Sequence, residues 1–333
     1  MTSSPPLAAV IGLGGPVLAD AERELLQHRR PAGVILFGRN CQDHGQLTGL
    51  IASIRDACPG WQPLLFIDQE GGRVARLRNP SWRAKPAAAR TGAAGAEAVW
   101  SAARLIARDL ADLGIDVDCA PVLDVAAPGM TDAIGDRAFC RDPERVADLG
   151  RAFLDGLAAG GVQGCIKHMP GHGRAVVDSH AELPVVDAPL DVLRRSDFVP
   201  FRKLADTPFG MTAHVLFRAL DPDRPATLSK LVIERVIRGE IGFGGVLLTD
   251  DLAMNALLGA PADRAAGAIA AGCDLALYCK GDQAANLAVL EAVPPLSDSL
   301  LERLDSLRLA VGEAVDVAAL EARLDDLVAT AAA

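Results

Sequence analysis

Eight short, nearly continuous apolar runs punctuate the chain. They are "LAAVIGLG" (7–14), "AGVILFGR" (32–39), "PLLFIDQE" (63–70), "GIDVDCAPVLDV" (114–125), "GVQGCIKH" (161–168), "FGMTAHV" (209–215), "GGVLLTDD" (244–251) and "CDLALYC" (273–279). Apolar and polar residues do not alternate within them, so they predict parallel strands buried on both faces. Between the runs, apolar residues recur at helical spacing over 20–28, 43–58, 94–113, 143–160, 188–205, 228–240 and 260–272. Two or three further helices are expected from Gln283 to the end. "DAERELLQ" and "DPERVADLGRAFLDGL" carry an acidic residue or a proline where a helix would start. The stretch 78–95, "RNPSWRAKPAAARTGAAG", reads as a long loop after the third strand.

Eight strands alternating with helices predict an α/β fold, a (β/α)₈ TIM-type barrel. The expectation is one domain over 1–333, with the barrel core at about 7–290 and extra C-terminal helices at about 291–333. A doubly wound sheet is the main rival. No run is followed by a G-x-G-x-x-G turn, however, and "GLGGP" lacks both the spacing and the helix opening that a nucleotide site needs.

Composition narrows the class. Of 333 residues, 50% are apolar and only 4% aromatic, with alanine and leucine carrying the hydrophobic load. That suits many helices packed closely on a sheet. The net charge of −10 is spread along the chain and no basic stripe appears, which argues against a nucleic-acid partner. Seven cysteines form no C-x-x-C pair and several lie in apolar runs, as buried reduced thiols would. The N-terminus "MTSSPPLAAVIGLGG" lacks the charged and apolar regions of a secretory leader, and no apolar run reaches the roughly 20 residues of a membrane span. A cytoplasmic protein with no membrane partner is expected, and a monomer.

In a parallel barrel, chemistry gathers at the C-terminal ends of the strands. The third run ends in Asp68-Gln69-Glu70, followed by Arg73 and Arg76. The fourth passes through Asp116, Asp118 and Asp124, and its following loop carries Arg137. The fifth ends in Lys167-His168, the sixth in His214 and the seventh in Thr249-Asp250-Asp251. Five strands converging on one rim with polar residues point to an active site rather than to solvated strand ends.

His168, His172, His180, His214 and the carboxylates raise the question of a metal. Metal-dependent barrel hydrolases usually start from an H-x-H on the first strand, whereas "AAVIGLG" offers no ligand and Lys167 already places a cation beside His168. No metal and no cofactor are therefore expected. Asp250 and Asp251 are adjacent, so their side chains point to opposite sides of the strand. One can face the mouth as a nucleophile while the other caps a helix starting near Leu252-Ala253-Met254. Asp178 and His180 are two apart; in an extended stretch both point the same way, and the carboxylate can fix the imidazole tautomer as in a general acid/base pair.

Taken in order, these motifs resemble those of the glycoside hydrolase family 3 β-N-acetylglucosaminidases, in particular the single-domain bacterial β-hexosaminidases of cell-wall recycling. The resemblance runs from about residue 9 to about 290, through "AGVILFGRN", "FIDQEGGRVARLR", "DCAPVLDV", "IGDRAF", "KHMPGHGRAVVDSH", "MTAHV", "GFGGVLLTDDLAM" and "AGCD". It implies a retaining, exo-acting enzyme that removes terminal β-linked N-acetylglucosamine from peptidoglycan fragments, so the partner would be a small sugar. It further implies Asp250 as nucleophile, His180 as general acid/base and Asp178 as its partner. Asp68, Arg76, Arg137, Lys167 and His168 would line the sugar pocket. Met169, Arg174-Ala175, "RAFC" and Ala253 depart from the usual pattern, and Arg174 puts an extra charge on a Gly/Pro-rich loop expected to move between open and closed states. A β-glucosidase-like or metal-dependent barrel hydrolase and a non-catalytic sugar-binding barrel remain as alternatives.

Overall fold

The computed structural model describes residues 5–78 and 80–331. Met1–Ser4, where the N-terminal segment discussed above begins, and Asn79 of the 78–95 stretch lie outside the described residues.

Eight strands form one parallel sheet in the order β10-β1-β2-β3-β4-β5-β7-β9. They are β1 (Leu7–Gly12), β2 (Pro31–Leu36), β3 (Leu64–Ile67), β4 (Val117–Asp118), β5 (Gln163–Met169), β7 (Phe209–Thr212), β9 (Val246–Leu248) and β10 (Ala276–Tyr278). A parallel bridge between Leu248 and Leu275, and the Thr249 N–H donating to the Leu275 carbonyl at 3.0 Å, join the two ends. The sheet is thus a closed (β/α)₈ barrel, and each strand overlaps one of the eight apolar runs, β2 starting one residue before its run at Pro31 and β5 ending one residue after its run at Met169. Strand interiors such as Val10, Ile11, Val34, Phe66, Ile166 and Leu247 are essentially inaccessible, as strands covered on both faces require. All seven cysteines are free, and five of them are buried in this core.

Helices α1 (Asp20–Arg29), α2 (His44–Asp56), α4 (Ala96–Leu113), α5 (Pro143–Ala159), α8 (Pro261–Ala271) and α9 (Gln283–Ala292) occupy positions expected from the helical spacing. Four expectations change. The supposed loop at 78–95 contains a helix, α3 (Ala88–Ala94), which buries Thr91 and Gly92, while Gly95, at φ 103°, separates it from α4. The single helix expected at 188–205 is two short ones, α6 (Leu190–Arg195) and α7 (Val199–Lys203), broken at Ser196 and restarted where Pro200 needs no N–H partner. The segment Val232–Glu240 winds as a π-helix, its wider turn closed by the Ile241 N–H on the Val236 carbonyl at 2.8 Å. No helix starts at Leu252; residues 252–257 make turns.

Two further features position the mouth. A short parallel pair, β6 (Val185–Val186) with β8 (Leu216–Phe217), ties the loop after β5 to the loop after β7. At the opposite end, α10 (Asp298–Ser306) leads into Leu307 and Arg308, which clamp Gln163 and Asp116. The last helix, α11 (Val317–Thr330), buries Leu324 and Val328 against Ala98, Ala102 and Leu105 of α4. Among the described residues, no helix is long and apolar enough to cross a membrane.

Candidate active site at the barrel mouth

The third strand delivers Asp68 and Glu70 to the mouth while Gln69 turns inward. The Gln69 side-chain oxygen accepts the N–H groups of Arg76 (2.7 Å) and Leu77 (3.0 Å), which folds the 71–77 loop back over the barrel and presents Arg76. Gly71 sits at φ 94° under Pro86, where a Cβ would lie 2.5 Å from a carbonyl oxygen, so the loop needs glycine there.

The result is a chain of alternating charge. Arg76 donates to Asp68 at 2.9 Å and Lys167 to the other Asp68 oxygen at 2.8 Å. Lys167 also reaches Glu70 at 2.7 Å, and Arg137 grips Glu70 through two bonds of 2.8 Å each. Burial opposes the charge on Asp68, but Lys167 and Arg76 outweigh it and hold the carboxyl well below its usual range. For Glu70 burial is likewise overcome, by Arg137 and Lys167, and the carboxyl falls to about 2. Burial also works against Lys167 and Arg137, and their carboxylate partners more than compensate, so both stay cationic far above neutrality.

Strand β5 departs from regular pairing between Ile166 and Met169, so consecutive Lys167 and His168 both serve the mouth. His168 is braced by the fully buried Asp124, whose carboxylate meets its Nδ1 at 2.7 Å and also accepts the His172 N–H at 2.6 Å. The other ring nitrogen of His168 lies 4.0 Å from Asp250. Burial pushes His172 down to about 4, so its ring is neutral and sits against Ser179 at 3.2 Å. Gly173 follows under Val125, where a Cβ would come 2.0 Å from the Val125 carbonyl oxygen. The charge that Arg174 adds to this loop is held by the buried Asp197, whose carboxylate lies 2.7 Å from the guanidinium.

Asp178 and His180 meet by a different route from the extended stretch expected. The chain turns at Asp178, with the Ala181 and Glu182 N–H groups on its carbonyl, and one Asp178 oxygen takes both the His180 N–H and the His180 Nδ1, each at 2.9 Å. Asn255 donates to the His180 carbonyl at 3.0 Å and the Ala256 N–H to Ser179 at 3.2 Å, which docks this turn on the loop after β9. The His180 side chain is 69% exposed.

At the end of β9, Asp250 faces the mouth with its side chain 16% exposed. Burial opposes its ionisation, yet His168, His214, the Asp251 N–H and Lys167 keep its carboxyl below the ordinary value. Asp251 points the other way and accepts the N–H groups of Ala253 (2.9 Å) and Cys279 (3.0 Å), so it caps a turn rather than a helix. His214 is buried, bonded to Thr227 and to the Asp251 carbonyl.

One cavity of about 260 Å³ gathers Asp68, Arg76, Arg137, Lys167, His168, Asp178, His180 and Asp250, all eight residues named from the sequence. Phe37, Met211, Met254 and Leu277 supply apolar wall. Glu70, which the sequence reading did not name as a site residue, also lines it; its period-two spacing from Asp68 is the signal that could have placed it on the same face. Asp124 is the brace that sequence reasoning left without a role. Two other fourth-strand aspartates stand elsewhere: Asp116 serves the Leu65 N–H and Arg308 at the barrel's other end, and Asp118 lies beneath the floor. Among the described residues, no group of three or more His, Cys, Asp or Glu side chains is arranged to hold a metal ion.

Cations already paired with carboxylates, together with the recessed Asp250, line a cavity at the C-terminal mouth of a closed barrel, the position at which (β/α)₈ enzymes carry their active sites. Residues 9–311 match the glycosyl hydrolase family 3 N terminal domain. A β-hexosaminidase of Tolumonas auensis is 41% identical over 314 residues, covering 86% of this chain and 90% of that protein. A β-hexosaminidase of Pseudomonas aeruginosa is 38% identical over 299 residues, covering 86% and 88% respectively. The crystal structure of NagZ from Neisseria gonorrhoeae in complex with N-trifluoroacetyl-D-glucosamine superposes with a TM-score of 0.88 at 31% identity, covering 98% of this chain and all of that one. The chain belongs to glycoside hydrolase family 3 and is a glycoside hydrolase of the β-hexosaminidase type.

Proposed function

We propose that the enzyme is a retaining, exo-acting β-N-acetylglucosaminidase that removes terminal non-reducing β-linked N-acetylglucosamine from peptidoglycan fragments of the N-acetylglucosaminyl-anhydromuramyl-peptide type. The observation that carries this reading is the solvent-facing Asp178–His180 pair lining the same cavity as the recessed Asp250. In the first step His180 Nε2, as the imidazolium, gives its proton to the glycosidic oxygen while an Asp250 oxygen bonds to the anomeric carbon. The C–O bond to the leaving group breaks, and a covalent glycosyl-enzyme forms. In the second step neutral His180 takes a proton from water, the water oxygen bonds to the anomeric carbon from the side the leaving group vacated, and Asp250 is released as a carboxylate.

Asp178 holds the proton on Nδ1, which leaves Nε2 as the working nitrogen. An imidazole suits the second step because, once neutral, it adds no second negative charge beside Asp250. Asp68 and Glu70 would accept sugar hydroxyls; Arg76, Arg137 and Lys167 would donate to hydroxyl and acetamido oxygens, and His168 would donate beside Asp250. Seven unpaired thiols support a reducing, cytoplasmic setting.

The test is leaving-group dependence. His180→Ala should slow hydrolysis of a natural disaccharide fragment by about 10²–10⁴-fold and that of a nitrophenyl glycoside far less, because a nitrophenolate departs without protonation. Equal loss on both substrates would sink the acid role, and unimpaired turnover by Asp250→Ala would sink the nucleophile.

A further inference from the structure

Beside His180 the active-site cavity opens into a shallower depression of about 290 Å³ bordered by Arg39, Asn255 and Lys280. It shares Phe37, His180, Asp251, Met254 and Cys279 with the cavity that holds Asp250. A proton donor sits next to the oxygen it protonates, so the space adjoining His180 and not lined by Asp250 is where a leaving group would extend.

The charges around this depression are uneven. The Asp251 carboxylate accepts two backbone N–H groups, and burial pushes its pKa up from the ordinary value. Asp282, two residues beyond Lys280, is engaged in capping α9 through the Ala285 N–H at 2.8 Å. Arg39 is held in place by donation from Nε to the Leu13 carbonyl at 2.7 Å and by a bond to the Cys279 carbonyl, with its guanidinium 5.0 Å from the Phe37 ring centre. Both of those acceptors are neutral; the Asp251 and Glu22 carboxylates act on Arg39 through space, and it makes no ion pair among the described residues. Lys280 is exposed and makes no hydrogen bond or ion pair among the described residues. Two cations that make no ion pair among the described residues therefore border the leaving-group side, whereas Arg76, Arg137 and Lys167 of the sugar pocket are each paired with a carboxylate.

We propose that Lys280, supported by Arg39, makes the leaving-group side select aglycones that carry a carboxylate. Lys280 is thus a specificity-determining residue outside the sugar pocket. The proposal rests on the placement of His180 as acid/base given above. It concerns only the charge of the aglycone, not the sugar that is removed.

The experiment uses two synthetic substrates, the 4-carboxyphenyl and 4-carbamoylphenyl β-N-acetylglucosaminides, which match in shape and differ in one charge. The quantity read is the ratio of their kcat/KM values within each enzyme. For an exposed ammonium the ratio should be about three- to fivefold in favour of the carboxylate at low salt. It should shrink as ionic strength rises, fall most of the way towards one in Lys280→Gln, and fall further in Lys280→Glu. A wild-type ratio near one, or a preference undiminished in Lys280→Gln, overturns the proposal. A parallel series of neutral aryl aglycones of graded acidity separates it from the acid/base assignment. If His180→Ala shows no steeper dependence on leaving-group acidity than wild type, the assignment fails. If the dependence is steep and the charge ratio is one, only the Lys280 proposal fails.

Discussion

Replacing Glu70 by glutamine probes the charge chain that shapes the sugar pocket. Shape is kept, but the charge gripped by Arg137 through two bonds and by Lys167 at 2.7 Å is removed. Two routes lead to the size of the effect. Depression of the carboxyl from 4.5 to about 2 corresponds by linkage to about 3 kcal/mol of stability at neutral pH. Removing one member of a buried, hydrogen-bonded ion pair costs roughly 3–5 kcal/mol, which agrees. With ~2.1 cal/mol/K per residue, a 333-residue chain unfolds with an entropy of ~0.7 kcal/mol/K. The expected fall in Tm at pH 7 is therefore about 5 °C.

The pH dependence has a definite sign. A carboxylate whose folded pKa is depressed contributes stability that is fully present above its unfolded value. That contribution disappears as pH falls through 4.5 towards about 2. The Tm gap between wild type and Glu70→Gln should be full at pH 7 and narrow steadily below pH 4.5. Calorimetry from pH 7 to pH 3 measures this directly, and steady-state kinetics on an aryl β-N-acetylglucosaminide should show KM raised by roughly tenfold as Arg137 and Lys167 lose their shared anchor. A negligible gap at pH 7, or one that widens into acid, would refute the reasoning.

Two other substitutions test the scaffold. Asp118 is fully buried with one oxygen lacking a partner among the described residues, and burial pushes its carboxyl up to about 8. Because the folded form holds its proton longer than the unfolded chain, Asp118 costs stability increasingly as pH rises from 3.8 to about 8; Asp118→Asn should gain up to about 8 °C in Tm at pH 8 relative to wild type and little at pH 4, and a pH-independent difference would contradict this. Gly173→Ala would place a methyl 2.0 Å from the Val125 carbonyl oxygen, so a loss of about 3 kcal/mol is expected, with kcat/KM reduced more than tenfold through displacement of the loop that ends in His180. Wild-type Tm and kinetics in that variant would show that the close approach is not required.

Much of the barrel was legible along the chain because burial on both faces leaves a local trace. Val34, Phe66, Ile166 and Leu247 have no polar neighbours of alternating pattern, so each strand stood out without knowledge of its partners. Elements whose shape depends on what they pack against were harder to read. The alanine-rich α3 matches any loop or helix until tertiary packing buries its Thr91 and Gly92, and the Val232–Glu240 segment has ordinary helical spacing although its turns are wider. The turn that starts at Asp178 hides in the same way. Spacing of two suggested an extended strand, whereas a carboxylate that accepts both the backbone and the ring of His180 produces the contact from a tight turn.

By itself, the sequence determined the order of strands and helices, the rim on which polar residues collect, and the candidate acids, bases and cations. These follow from the local rhythm of apolar residues and from side-chain chemistry, neither of which depends on distant neighbours. Only the tertiary structure decided which charges neutralise which. Lys167 pairs with Asp68 across 99 positions, Arg137 with Glu70 across 67 and His168 with Asp124 across 44, while Lys280 makes no ion pair among the described residues. The physical reason is that Coulomb attraction and hydrogen bonding fall off over a few ångströms of space. Residues far apart in the chain acquire their pKa and their role only when barrel closure brings them within that range.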